Sequence, residues 1–245
     1  MGRGMRIYWA DLHIHTCLSP CAELDMTPKR IIKRAAAKGL DMIAVTDHNS
    51  AGNLSAALGC AEGGAVAVIP GMEITSAEEV HILALFETID SAAEMQRQLY
   101  DGGDFPPDAG HKAFGTEQVI VNVADEILGF EPRLLAGASS KGLEDIIGAV
   151  HALGGLAIAS HSDRESFSVL SQLGFFPDDA MFDAIEVTGK KPDTLLPAQF
   201  PRLHSSDAHS PDMIGRKKTG FMMEAPTFRE LAMAIKGEGG RGIRG

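Results

Sequence analysis

Cysteine is scarce in this chain of 245 residues, with only Cys17, Cys21 and Cys60. An odd, small set excludes a disulfide framework and fits a reducing compartment. Long apolar runs are missing too: nothing approaches the roughly 18 residues a membrane span needs. The opening "MGRGMRIYW" is short and basic and lacks an apolar signal core, so no secretory leader is expected and the cytoplasm is the expected location. Positive charge is also in deficit. Lys and Arg number 22 against 33 Asp and Glu, a formal net charge of −11. A broad, non-specific nucleic-acid footprint needs a basic stripe, so extended nucleic acid is not an expected partner. The local exceptions are "KRIIKR" (29–34), read as a solvated helix face, and "RKK" (216–218).

What is present is a globular pattern. Apolar residues make up 44% of the chain and mean hydropathy is +0.01, enough for one domain with a sizeable core, assigned to residues 1–240. Short apolar runs recur as strand candidates: "RIYWADL", "DMIAVT", "AVAVIPGMEI", "VHILALF", "GLAIAS", "DAIEVT", "PRLHSS" and "KTGFMM". Helical stretches alternate with them. "TPKRIIKRAAAKG" has a Thr27 cap, Pro28 in the first turn and Gly39 as its stop. "DSAAEMQRQLYDGG" is expected to start at an Asp/Ser cap. "KGLEDIIGAVHALGG" places Leu143, Ile146, Ile147 and Val150 on one stripe, and "TFRELAMAIKG" is the last helix. The class is α/β, and a repeated βα unit of this length predicts mainly parallel pairing in a TIM-like barrel. Residues 102–140 fit the rhythm least. They read as a pocket-shaping insertion, with an irregular loop followed by a helix or two in "TEQVIVNVADEILGF". The glycine-rich end, residues 237–245, is expected to be flexible.

The segment "DLHIHT" (11–16) ends the first apolar run. In an extended chain alternate residues point the same way, so Asp11, His13 and His15 are expected to share a face, opposite Leu12 and Ile14. Other histidines repeat that placement. His48 follows "MIAVTD", His81 opens "HILALF" shortly after Glu73 in "PGMEIT", His161 ends "GLAIASH", and His209 follows Asp207 in "SSDAHS". In a barrel, strand ends converge on one rim. His111 (irregular loop), His151 (helix) and His204 (within a strand) are read as structural, and Cys60 as an ordinary small apolar residue.

In order, "DLHIHT", "VTDHNSAGN", "PGMEIT…VHILAL", "ASHSDR" and "SSDAHS" resemble the polymerase-and-histidinol-phosphatase (PHP) family of metal-dependent phosphoesterases, over nearly the whole chain. The resemblance implies a distorted (β/α)7 barrel with three divalent ions, zinc, manganese or iron, at its C-terminal rim. Transferred to this sequence, the family pattern implies one ion on His13, His15 and Asp207, with Glu73 bridging to a second. The second would take Glu73, His81 and His161. The third would take His48, His209 and one ligand from "CLSPCAELDMTP", where Cys21 and Glu23 are the alternatives. Three such ions would offset about half of the formal negative charge.

The reaction expected from that resemblance is hydrolysis of a phosphate ester of a small metabolite or nucleotide by metal-activated water. The alternatives are a phosphodiesterase or 5′-directed nuclease on short oligonucleotides, or a non-catalytic metal-binding interaction module. Arg164 is the first candidate for phosphate binding, with Arg216 or Lys217 second. Asp163 is the candidate acid. Asp11 and Asp47 either orient ligand imidazoles or cap local turns.

Overall fold

The computed structural model describes residues 4–107, 117–177, 179–189 and 195–244. All eight strand candidates form strands: β1 (Arg6–Ile14), β2 (Met42–Val45), β3 (Ala67–Thr75), β4 (His81–Leu85), β7 (Leu156–Ala159), β8 (Ala184–Glu186), β9 (Arg202–Leu203) and β10 (Thr219–Met223). Between them lie α1 (Pro28–Ala37), α2 (Leu54–Ala61), α3 (Ile89–Tyr100), α4 (Leu143–Ala152), α5 (Val169–Leu173) and α6 (Phe228–Lys236). The strands make one sheet in the order β11-β10-β1-β2-β3-β4-β7-β8-β9, where β11 is Gly242–Arg244. The glycine-rich end, expected to be flexible, therefore contributes an edge strand: Ile243 pairs with Phe221.

Parallel pairing is less general than expected. It joins β1 to β2, β2 to β3, β7 to β8 and β8 to β9, whereas β4 runs antiparallel to both β3 and β7. The link from Thr75 to His81 is far shorter than the dozen or so residues of a crossover, so β3 and β4 can only form a hairpin. Two cores explain the curl of the sheet. Tyr8, Met42, Ile69, Leu83, Ile158, Ala184, Leu203 and Phe221, from eight different strands, belong to one buried cluster closed by Phe228, Leu231, Ala234 and Ile235 of α6. Side chains from so many strands meet only if the sheet wraps around them. On the other face, Ile43, Met72, Ile82 and Ala157 pack under α1 to α4, including the full Leu143, Ile146, Ile147 and Val150 stripe.

Three local expectations are corrected. Residues 117–130 are not helical. They hold β5 (Val119–Val121) and β6 (Ile127–Phe130), an antiparallel hairpin whose turn is tied by Asn122 Oδ1, which accepts from Ala124 N and Glu126 N. The β-branched "VIV" and this Asn turn outweigh the helix-favouring "ADEIL". α3 is capped by Thr88, whose Oγ1 accepts from Ser91 N at 3.2 Å, so Asp90 and Ser91 lie inside its first turn. Thr27 does stand at the α1 cap, but its hydroxyl donates to Asp125 in the hairpin turn instead of serving the helix.

Candidate metal centre

The donors expected at strand ends do gather on one rim. It is formed by the C-terminal ends of β1, β2, β3, β7, β8 and β9, and by the N-terminal end of β4, which runs the other way. Backbone pairing beyond the strands sets the approach. His48 bridges Glu73, with Asn49 N donating to Glu73 O at 2.9 Å. Likewise His15 N donates to Ala208 O and Ala208 N to His13 O, which brings Asp207 and His209 against the HxH pair.

The HxH itself is not a simple alternation. Asp11 lies opposite Ile43 but Ile14 opposite Val45, so β1 carries one extra residue between them. Such a bulge re-aims side chains. Tyr8, Ala10 and Leu12 belong to the inner core, whereas Ile14 belongs to the helix-side core. Leu12 and Ile14 thus part company, and Asp11 does not join the histidines. Its carboxylate accepts from Ser206 N, Ser206 Oγ and Gly215 N at 2.6–2.9 Å and secures that loop. Burial raises its pKa to about 6 against those hydrogen bonds.

Two buried carboxylates orient the pair. His13 Nδ1 meets Glu186 Oε2 at 3.0 Å, and the same oxygen accepts from His161 N at 2.9 Å. Sequence reading missed Glu186; its one signal is a lone acid at the end of the apolar run "DAIEVT". Asp47 acts on His15 through Ser19, whose Oγ donates to Asp47 Oδ1 at 2.6 Å and lies 2.9 Å from His15 Nδ1. Satisfying every one of these groups puts the proton of each imidazole on Nδ1, leaving lone pairs on both Nε2 atoms. Those two nitrogens are only 3.1 Å apart.

With both rings neutral, opposed lone pairs at that distance repel, and either a proton or a metal ion between them relieves the repulsion. Around them stand Glu73 Oε1 and Oε2 and Asp207 Oδ1, at 3.3–3.4 Å from one or both. A tetrahedral ion about 2 Å from each donor has edges of about 3.3 Å, so this set fits a divalent metal. His48 Nδ1 and His81 Nδ1 come within 3.2 and 3.0 Å of Glu73, yet both are buried without a hydrogen-bond partner. They approach the carboxylate as co-ligands do. Three groups are spaced to hold ions: His13, His15 and Glu73; His48, Glu73 and His81; and His15, Cys21, His48 and His209.

These groups differ from the expected partition: Asp207 and His161 belong to none of them, His48 joins the second as well as the third, and His15 joins the third as well as the first. His161 Nε2 reaches Glu73 Oε1 at 3.2 Å. Cys21 joins a group, whereas Glu23 is exposed and its backbone N donates to His209 O. Electrostatics agree with a site that demands positive charge. Burial alone would lower His15, but the Asp207 and Glu73 oxygens raise it to about 9. Burial would raise Glu73, but His81 and His13 hold it well below the usual carboxylate range. Burial and the neighbouring His15 keep His48 far below its ordinary value and His209 at about 4, so both stay neutral and ligand-ready.

The remaining candidates divide. Arg164 lines the same cavity, of about 290 Å³, and its Nη1 donates to Asp207 Oδ2 at 2.8 Å. Arg216 and Lys217 do not line it: Arg216 is exposed and bonds Asp212 O, and Lys217 Nζ donates to Thr188 O. Asp163 is buried, with Oδ1 accepting from Thr188 N at 2.6 Å, which braces the loop after β8, and it is not among the described residues that line the cavity. His151 pairs with Asp183 at 2.9 Å. His204 lies one residue beyond β9, exposed, with Nδ1 near Val187 O. His111 falls outside the described residues. From the expected insertion, Ala136 lines the cavity. Strain concentrates here as well: Asn49, His161, Phe167 and Asp207 all have positive φ.

The PHP domain model matches residues 11–175. The chain belongs to the PHP domain family. A curated relative, the uncharacterized protein YqxK of Bacillus subtilis (strain 168), is 34% identical over 105 residues, 38% of this chain and 27% of that protein. In structure, this PHP chain is similar to the lesion-specific endonuclease PfuEndoQ from Pyrococcus furiosus. The TM-score is 0.72 at 22% identity, over 97% of this chain but 58% of that one. It is also similar to an amidohydrolase from Chromobacterium violaceum, with a TM-score of 0.55 at 20% identity, over 85% of this chain and 90% of that one. This PHP chain therefore spans little more than half of the endonuclease and about a quarter of the curated relative. At such identities the shared property is the fold. Among the described residues no helix is long and apolar enough to cross a membrane.

Proposed function

We propose that this chain is a metal-dependent phosphoesterase that hydrolyses a phosphate ester of a small metabolite or nucleotide. The observation that carries the reading is the convergence of the two Nε2 atoms, 3.1 Å apart, with Glu73 and Asp207 oxygens about them. His13, His15, Glu73 and Asp207 would hold one ion, Glu73, His81 and His161 a second, and His48, His209 and Cys21 a third. When bound, divalent ions supply Lewis acidity toward a phosphoryl oxygen and a water acidic enough to attack near neutral pH. The protein's part is positional. Glu186 and Asp47 keep the Nε2 atoms directed inward, and Asp207 turns Arg164 over the cavity, where its guanidinium can take a phosphate oxygen. The curled sheet and its ring of strand-end ligands support the distorted (β/α)7 barrel reading.

A phosphodiesterase is the second reading, favoured by the fold likeness to a lesion-specific endonuclease over 97% of this chain. Against it, the net charge is −11 and Arg164 is the one cation lining the cavity among the described residues. The test is turnover of p-nitrophenyl phosphate, its bis-aryl diester and short oligonucleotides by protein loaded with zinc, manganese or iron. Monoester turnover that disappears in His15→Ala and Asp207→Ala is the expected result. Exclusive cleavage of diesters would install the second reading. No cleavage by demonstrably loaded protein would leave a metal-binding module.

A further inference from the structure

The loop from β7 to α5 brings two unlike side chains to one cavity. Arg164 and Phe167 both line it, three residues apart. The Phe167 ring lies nearly parallel to the His81 imidazole, with centroids 4.6 Å apart and planes 16° from parallel. Yet this large apolar residue remains 39% exposed. Its backbone is left-handed, with φ of +57°, a conformation bulky residues avoid. Neighbouring bonds enforce it: Phe167 O accepts from His81 N at 2.9 Å, and Ser168 Oγ donates to Arg164 O at 2.7 Å while forming a capping box with Ser171. A ring needed only to brace His81 would be better buried, and without strain. Here the loop is constrained to display it.

From this we infer that Phe167 is a stacking surface for the nucleobase of a nucleoside phosphate whose phosphate is held by Arg164 and the metal centre. The inference rests on the phosphoesterase reading and narrows its substrate class. Every base has a π-face, and the ring offers one without demanding a particular base. One loop would then hold both ends of the substrate: guanidinium on phosphate, phenyl on base. Ribose or glycerol phosphates would use only the first contact.

The test is calorimetric binding, to metal-loaded protein, of the non-hydrolysable phosphonate analogue of AMP and of methylphosphonate. Phe167→Ala is expected to weaken the AMP analogue about tenfold and methylphosphonate less than twofold, with Phe167→Trp restoring the first. In turnover, the same variant should raise KM for AMP several times more than KM for glycerol phosphate, and Phe167→Trp should restore the AMP value. Equal weakening of both phosphonates, no change in either, or failure of the wild type to bind the AMP analogue would overturn the inference. Phe167-dependent binding in a protein that hydrolyses no ester would instead retain the inference and remove the phosphoesterase reading.

Discussion

Glu186 holds His13 at 3.0 Å across 173 residues of sequence. The contact joins the ends of β8 and β1, and its second function is to receive His161 N. One carboxylate therefore aims two imidazoles into the cluster from different strands.

Removing that partner should loosen the metal without removing a ligand. Glu186→Ala is expected to lower metal affinity by about 10–100-fold, the usual effect of losing a ligand's orienting group. Glu186→Gln should lower it less. Competition with a chromophoric chelator measures both; unaltered affinity in the Ala variant would show that His13 is held by packing alone.

Cys21 and Glu23 can be separated by elemental analysis. Cys21→Ser should carry one ion fewer per chain than wild type, while Glu23→Gln keeps the full complement. The opposite result would transfer the third ligand to Glu23. Thiol labelling gives a parallel readout: Cys21, exposed at the cavity, should be alkylated in chelated protein and protected by metal, whereas buried Cys17 should stay unmodified until unfolding.

Metal should also stabilise the fold. A ligand that binds only the native state at a hundredfold excess over its Kd contributes about 2.7 kcal/mol. Melting temperature is therefore expected to rise on adding zinc or manganese to chelated protein, and His15→Ala should lose most of the rise. An equal rise in that variant would place the bound metal elsewhere.

Asn53 links the β5–β6 hairpin to the HxH loop. Fully buried, it donates to Val119 O and Thr16 Oγ1 and accepts from Val121 N. Asn53→Ala takes the side-chain acceptor from Val121 N and one donor each from Val119 O and Thr16 Oγ1, which keep Cys17 Sγ, Leu18 N and Asp47 as partners; a buried group left unpaired costs about 1–3 kcal/mol. Faster amide exchange through residues 119–121 in that variant, with lower global stability, is the expected signature; exchange as slow as in wild type would count against it.

Leu231 of α6 seals the inner core. Leu231→Ala should cost about 2–5 kcal/mol in denaturant unfolding. The metal content of the remaining folded protein should be unchanged, because the helix packs against β10 and β11, which carry none of the candidate ligands. Loss of bound metal before unfolding would contradict that separation.

The order of the eight strand candidates, the acidic character and the histidines and acids placed at strand ends were legible from residues alone. Apolar runs that alternate with capped helices, and histidines at their ends, are local patterns that survive folding. His13, His15, His48, Glu73, His81, His161, Asp207 and His209 all stand together as their places at strand ends imply.

Contacts between distant segments decided the rest. Alternation around "DLHIHT" suggested that Asp11 shares a face with the histidines. An extra residue in β1 separates them, and a bulge depends on what the neighbouring strand pairs with. Glu186 was an unremarkable strand acid until β8 came to lie where its carboxylate meets His13. Arg216 and Lys217 looked suitable by charge, but their backbone partners hold them away from the cavity. That Cys21, and not Glu23 two residues on, lines the cavity follows from the path of a loop that no periodicity encodes. Sequence by itself determined which groups could bind a cation. Only the tertiary structure decided which of them converge, because convergence to a few ångströms is a property of strand register and loop path and not of composition.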